Sequence, residues 1–493
     1  MRTDFQRSHA LMVFVVMGLT FMGSLSGCLV GPDYERPEVE VPADWKALKS
    51  ADPEKGPRMV TEILPEAQWW EAFENDELNR FIELALRKNH DVREAAFRVL
   101  EGRANILSAG ASLYPQFSLN GFWSQVGLSQ TLFPGETENG EPKFPLSGAN
   151  FGLGRAAIDL SWELDLWGRI RRGIEAASAD MDALEMDRRA IALSLISEVG
   201  QTYFRIREFD EQIEIAKKNL AIRQDSLNII TSRAKAGLVS DLDVRRAEVL
   251  VAETSAGIPE LERSRATEIH RLEILTGAPP DSIPFFPRPL RDVVRQPAIP
   301  VGLPSDLLAR RPDILQVEQT LIAANARIGE ARAFFFPSVS ITGAGGFTTT
   351  EFLQWFDWRS RSYNIGPSIT LPIFLGGSNE ARLEAAEAKY QQMLERYQQT
   401  ILTAFQEVAD LLVALQTRTR QLESQRKQVE AAEAARELAE IRYREGLVTY
   451  LDVLEAQRTV LNAELSLVQT ERARLTEMVA LFKAVGGGWD QQA

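Results

Sequence analysis

One cysteine, at position 28, and three histidines, at 9, 90 and 270, hold all the thiol and imidazole chemistry in this chain of 493 residues. A lone cysteine excludes an internal disulfide, a cysteine-rich zinc site and an iron–sulfur cluster. His90 and His270 lack any ligand-spaced neighbour and read as surface or structural residues. The sequence contains no Ser/His/Asp arrangement, no Cys/His pair and no HExxH segment, so a hydrolase has nothing to work with. No cofactor and no metal site are implied. What remains is carboxylate chemistry. Asp452 and Glu455 stand three apart and share one helix face just beyond Gly446. They form either a solvated acidic face or, in a symmetric trimer, stacked carboxylate rings that favour cations and raise one another's pKa. A formal net charge of -14 argues against nucleic acid as a partner.

Cys28 closes an apolar run over residues 10–23, which follows Arg2 and Arg7. Spanning a bilayer takes ~20 residues, so this run is short for a membrane helix and has the flanks of a secretory signal. Leu25-Ser26-Gly27-Cys28 resembles the bacterial lipobox. In that motif the thiol is acylated and cleavage leaves Cys28 as the first mature residue, anchored by ~0.8 kcal/mol per buried CH₂. Leu29, where aspartate would favour inner-membrane retention, points to the outer membrane. Residues 1–27 are therefore expected to be a lipoprotein signal peptide. Residues 28–65, with Pro32, Pro37, Pro42, Pro53, Pro57 and Pro65, read as a lipid-anchored extended tether.

The chain repeats itself. Residues 105–115 (NILSAGASLYP) lie over 327–337 (RIGEARAFFFP), and Asp91 over Asp313, at an offset of 222. Gly168, Gly237-Leu238-Val239-Ser240, Leu272 and Gly277 lie over Gly377, Gly446-Leu447-Val448-Thr449, Leu481 and Gly486 at an offset of 209. The difference falls between Pro115 and Gly168, where the first copy carries extra polar sequence around 133–148. The expected repeats are 66–290 and 291–493, each a helix, a β-hairpin and a long helix pair.

Within each copy two periods alternate. Residues 168–237 lack proline, and Ile170, Ile174, Met181, Leu184, Ile191, Leu195 and Val199 recur at coiled-coil intervals. The second copy spaces Leu383, Tyr390, Tyr397, Ile401, Val408, Leu415, Leu422 and Val429 almost wholly by sevens. About 69 residues at ~1.5 Å each make a rod of about 100 Å. Each rod turns at a glycine and returns as a shorter antiparallel helix, and a helix over about 78–113 or 306–335 precedes each strand pair. Between helix and rod the period falls to two. Phe117, Leu119, Gly121 and Trp123 alternate with polar neighbours, as do Ile158, Leu160, Trp162 and Leu164, Val339, Ile341 and Phe347, and Tyr363, Ile365, Ile369 and Leu371. That pattern fits a membrane β-barrel strand or a soluble sheet with one wet face. Trp123, Trp162, Trp355 and Trp358 suit either an interfacial girdle or a plain core. Four strands cannot close a barrel, and an open edge in a bilayer costs several kcal/mol per orphan group, so oligomerisation is expected. The fold class is mainly α with a membrane β part.

The chain resembles the TolC/OprM-type outer membrane factors, and among them the NodT-like outer membrane efflux lipoproteins of tripartite efflux systems. The resemblance covers nearly all of the mature chain. It rests on the order of Trp69-Trp70, Glu163-Leu164-Asp165-Leu166-Trp167-Gly168, Arg311-Pro312-Asp313-Ile314, Leu371-Pro372-Ile373-Phe374, Tyr443-Arg444-Glu445-Gly446, Tyr450-Leu451-Asp452-Val453-Leu454 and the closing Leu481 to Gly488. It implies a homotrimer whose 12-stranded β-barrel continues into a periplasmic α-barrel, in the cell outer membrane. It also implies a periplasmic adaptor (membrane fusion protein) and an RND-type inner membrane pump as partners. Asp452 and Glu455 match acidic positions that constrict the periplasmic entrance, and Asp243 and Tyr443 match positions that link neighbouring helix pairs. The arginine expected opposite them falls on Val448, leaving Arg246, Arg442 or Arg444 as substitutes or as plain surface ion pairs. The tips Gly237, Leu238, Val239 and Ser240, and Gly446, Leu447, Val448 and Thr449, match adaptor-docking points. The alternative is a lipid-anchored periplasmic coiled-coil scaffold or adaptor with a soluble β-domain.

Overall fold

The computed structural model describes residues 29–45, 59–60, 68–129, 137–138, 141–142, 150–293, 297, 299–300 and 304–487. Cys28, the signal segment and most of the polar insert around 133–148 lie outside the described residues. The chain is mainly helical. In order, α1 spans Asp76–Lys88, α2 His90–Ala111, β1 Gln116–Gly127, β2 Asn150–Leu164, α3 Arg169–Lys235 and α4 Asp241–Leu275. Then come α5 at Pro312–Ala333, β3 at Ser338–Thr349, β4 at Arg361–Thr370, α6 at Ser378–Arg444 and α7 at Tyr450–Ala484. The bounds of α2 and β1 recur in α5 and β3 at the offset of 222, and those of α3 and α4 recur in α6 and α7 at 209.

The long helices α3 and α6 have 67 residues each, and α4 and α7 have 35. Along α6 the heptad residues Tyr397, Ile401, Val408, Leu415 and Leu422 are all buried. The shorter helices are each interrupted, where periodicity predicts one continuous run. Asn89 stops α1 and caps α2, its Oδ1 accepting the Asp91 and Val92 amides at 2.8 and 3.1 Å. In the second copy a single turn, Leu307–Arg310, precedes α5, and Pro312 occupies the first helical position, where its missing N–H is not needed. Both breaks do the same work. Asn89 Nδ2 donates to the Leu275 carbonyl and Arg311 Nη1 to the Ala484 carbonyl, each at 3.1 Å, so each break satisfies the end of a returning helix.

By its contacts the chain divides into two compact units, each drawing segments from both copies. One comprises Met1–Arg36, Leu100–Asp182 and Gln319–Glu395, the other Pro37–Val99, Ala183–Glu318 and Arg396–Ala493. The second unit has an aromatic and ionic core. Trp69 stacks on Phe482 with ring centroids 4.9 Å apart. Arg207 is fully buried, ion-paired to Glu77 and Asp210, and 4.2 Å from the Phe285 ring centroid.

The first unit holds the sheet, with strand order β1-β2-β3-β4 and every neighbour antiparallel. Register keeps side-chain parity across all four strands: Leu119 faces Ile158, Ile158 faces Gly345, and Gly345 faces Tyr363. Phe117, Leu119, Leu160, Trp162, Ile341, Ile365 and Ile369 therefore share one face, while Ser118, Asn120, Asp159, Ser340, Thr342, Asn364 and Ser368 share the other. On the apolar face Phe117, Leu119, Ile158, Tyr363, Ile365 and Ile369 are exposed. Aromatics sit at both ends of the sheet. Trp123 packs against Phe352 and Trp355, while Trp162 Nε1 donates to the Leu113 carbonyl at 2.9 Å.

The segment expected to be an extended tether is bonded to this unit over its first residues. The Val30 amide donates to the Trp167 carbonyl at 3.1 Å, and Asn325 Nδ2 to the Pro32 carbonyl at 2.9 Å. The buried Arg172 guanidinium holds Asp33 at 2.8 Å. Gly31, at φ +105, lies so close to Gly329 that a Cβ would sit 2.4 Å from its Cα.

Candidate functional site

The helix tips are built twice. At the end of α3 the Leu238 amide returns to the Arg233 carbonyl and the Gly237 amide to Ala234, at 2.9 and 2.8 Å. At the end of α6 the Leu447 and Gly446 amides do the same with Arg442 and Tyr443, at 2.9 and 3.0 Å. These paired bonds need a left-handed residue, and Gly237 and Gly446 supply it at φ +72 and +76. Leu238 and Leu447 are left exposed, while Val239 is half-buried against a core of Ile230, Ala247, Tyr450, Val453 and Leu454. Ser240 caps α4, its Oγ accepting the Leu242 amide at 3.1 Å.

Thr449 opens α7 with a capping box. The Asp452 Oδ2 accepts from the Thr449 amide at 2.9 Å and from its hydroxyl at 2.6 Å. Those hydrogen bonds hold the Asp452 carboxyl below its usual range within the single chain. Glu455, on the same face, meets Arg458 at 2.9 Å, and both side chains are exposed. Asp243, the counterpart of Asp452, meets Arg246 at 3.4 Å on its own helix, the plain surface pair among the readings.

Tyr443 sits where the tips of α6 and α3 meet. Its ring lies 5.5 Å from that of Tyr450, and its hydroxyl is buried without a partner. Arg233, rather than Arg442 or Arg444, is its cation: the guanidinium lies 5.0 Å from the ring centroid and donates to the Tyr443 carbonyl at 3.2 Å. Burial raises the Tyr443 pKa and pushes Tyr450 up to about 12. A cleft of about 240 Å³ opens beside them, lined by Ser226, Ile229, Glu440 and Arg444. The signal for Arg233 is its place in the last turn of α3, one turn before Gly237, where a cation also complements the helix terminus. The feature that locates its partner is the pairing of two tips from different copies, which periodicity does not show.

The described residues hold no cluster of metal ligands and no helix long and apolar enough to cross a membrane. His90 is exposed, and His270 lies 3.4 Å from Asp281 at the surface.

A family model described as outer membrane efflux protein matches residues 81–278 and 303–487. The solvent efflux pump outer membrane protein SrpC of Pseudomonas putida is 34% identical over 467 residues, which are 94% of this chain and 96% of that one. The cation efflux system protein CusC of Escherichia coli is 31% identical over 468 residues, 95% of this chain and 97% of its own. The solved outer-membrane channel OprN superposes with a TM-score of 0.85 at 33% identity, covering 94% of this chain and all of the other. With the repeated helix pairs and the single four-stranded sheet already in view, these matches settle the family: the chain belongs to the outer membrane efflux proteins.

Proposed function

We propose that three copies of this chain close one 12-stranded barrel in the outer membrane, continued by their helices as a periplasmic α-barrel, and that the pore passively conducts what an inner membrane pump and a periplasmic adaptor deliver. As a member of its family the protein is an outer membrane efflux channel and not an enzyme. The observation that carries the trimer is the sheet: one exposed apolar face in register over four strands, with β1 and β4 each open on one side. An apolar face suits lipid and a polar face suits a water-filled lumen, while two open edges can be satisfied only by identical neighbours. Three sheets of four strands make a barrel wide enough for an aqueous path. The repeats 66–290 and 291–493 are then the alternating staves of the wall. Cys28, acylated, anchors the chain beside the fixed segment that follows it.

Asp452 and Glu455 form the carboxylate rings of the periplasmic entrance, with Asp243 and Tyr443 holding neighbouring helix pairs together. The exposed tips at Gly237, Leu238, Val239 and Ser240, and at Gly446, Leu447, Val448 and Thr449, are the docking points for the adaptor's helical hairpins. The pump is of the RND type. Planar-bilayer recording tests the function directly. Wild type is expected to conduct in small, cation-preferring steps, and Asp452→Ala/Glu455→Ala to conduct more with weaker cation preference. Absence of conductance in both contradicts the proposal.

A further inference from the structure

The turn between β3 and β4, residues 350–360, is built inside out, with its polar groups spent on one another. Asp357 Oδ1 accepts the Arg359 amide at 2.9 Å, and the same carboxylate holds the Arg359 guanidinium at 2.9 and 3.1 Å. Ser360 Oγ donates to the Gln354 carbonyl at 2.9 Å, and the Glu351 amide donates to Thr349 Oγ1 at 3.1 Å. The apolar side chains face out: Phe352, Phe356 and Trp358 are exposed, and Leu353 is 96% exposed. A loop made for water shows the opposite arrangement, and an apolar cluster of this kind marks a surface that meets something apolar.

The turn lies at the end of the sheet away from the helices, because α5 leads into β3 and β4 leads out to α6 at the other end. There it leans to one side. Trp123 stands on the apolar face over Gly154, where a Cβ would lie 2.5 Å from its ring. Phe352 meets the Trp123 ring edge-on with centroids 5.1 Å apart, and Trp355 lies 5.5 Å from it. Phe356 packs 5.8 Å from Phe347, which shares that face through its pairing with Ala156 and so with Gly121. A turn closing over a lumen would lean on the polar face instead. Arg361 adds a charge to the same rim. It opens β4 opposite Phe347, hence on the apolar face. Its guanidinium lies 4.9 Å from the Trp358 ring centroid and donates to the Trp358 carbonyl at 3.4 Å, and among the described residues no carboxylate pairs with it. Such a cation on a lipid-facing rim is costly unless an anion meets it there.

We infer that the turn is a lipid-binding surface: Phe352, Leu353 and Phe356 enter the acyl layer of the outer leaflet, and Arg361, stacked on Trp358, takes a phosphate of an acylated, phosphate-bearing glycolipid. This rests on the barrel reading above and adds what its outer rim recognises. Continuity with the apolar face supplies the acyl contact, and the unpaired guanidinium supplies the headgroup contact.

The test uses the full-length protein in phosphatidylcholine vesicles whose acyl chains carry nitroxide quenchers. A nitrobenzoxadiazole label is placed at Leu353→Cys, at Ile365→Cys on the apolar face or at Asn364→Cys on the polar face, and wild type, with Cys28 alone, sets the labelling background. Quenching is expected at 353 and 365 and not at 364. In mild detergent, wild type is expected to bind diphosphoryl lipid A more tightly than its dephosphorylated form. Arg361→Ala is expected to lose about tenfold of that affinity and Arg361→Lys less. Arg263→Ala, an equal loss of charge at an exposed site on α4, is expected to lose none. Quenching at 365 without quenching at 353 overturns the lipid contact of the turn and leaves the barrel standing. Quenching at neither overturns the barrel and the turn's role with it. Binding that ignores the phosphates, or that is unchanged in Arg361→Ala, overturns the headgroup assignment.

Discussion

Thr449 puts both its amide and its hydroxyl on the Asp452 carboxylate, so one side chain of the proposed entrance ring also starts the helix that carries it. A depressed carboxyl pKa means that the stabilisation is complete above the ordinary aspartate value of ~3.9 and is lost as pH falls through the lower folded value. Protection of the Thr449 amide, its exchange relative to an unstructured amide at the same pH, is therefore expected to persist above the ordinary aspartate range and to fall below it. In Asp452→Ala that protection is expected to be lost at every pH. Tyr443 separates two views of the tip. Its hydroxyl is buried and unpartnered, while its ring meets Tyr450 and Arg233. Tyr443→Phe is expected to conduct and unfold like wild type, whereas Tyr443→Ala, losing the ring, is expected to cost on the order of 2 kcal/mol and to raise conductance. A leaky Tyr443→Phe channel contradicts the ring-based account. Asp452, Glu455 and the tip glycines are legible in sequence because spacing alone sets a helix face and a turn. The Asp452 cap hides behind an ordinary Thr-x-x-Asp, and the Tyr443–Arg233 contact joins residues 210 apart.

Glycine acts differently at the two ends of a helix pair. Gly446 needs its left-handed φ but has open space around it, whereas Gly277 has a similar φ and a Cβ there would lie 2.5 Å from the Lys88 carbonyl oxygen. Gly446→Ala is expected to cost about 1 kcal/mol, the strain of the conformation alone. Gly277→Ala is expected to lower the unfolding temperature several-fold more, because α1 must move; equal losses contradict the packing argument. The long helices were readable because sevens without proline leave few other structures for the chain to adopt. The strands are readable as alternation, but one continuous apolar face and one continuous polar face become distinguishable only when the three pairings agree in parity. The break at Asn89 was not readable. Asparagine is common on helix surfaces, and only the Leu275 carbonyl waiting for its amide gives the break a purpose. Pro312 offered the clearer signal in the second copy, and the first copy conceals the same device behind a different residue.

The whole molecule is defined by what a single copy leaves unsatisfied. Among the described residues β1 and β4 have free edges, the apolar face of the sheet is bare, and Leu402 and Val413 lie open where their counterparts in the first copy are covered. Repetition made this legible: a duplicated unit with two strands per copy sets the count at four, and closure then demands more chains. Sedimentation equilibrium of the purified full-length protein in mild detergent tests the central claim most directly. The account expects one species with three times the mass of the chain, unchanged on dilution to nanomolar concentration; a stable, folded monomer contradicts it.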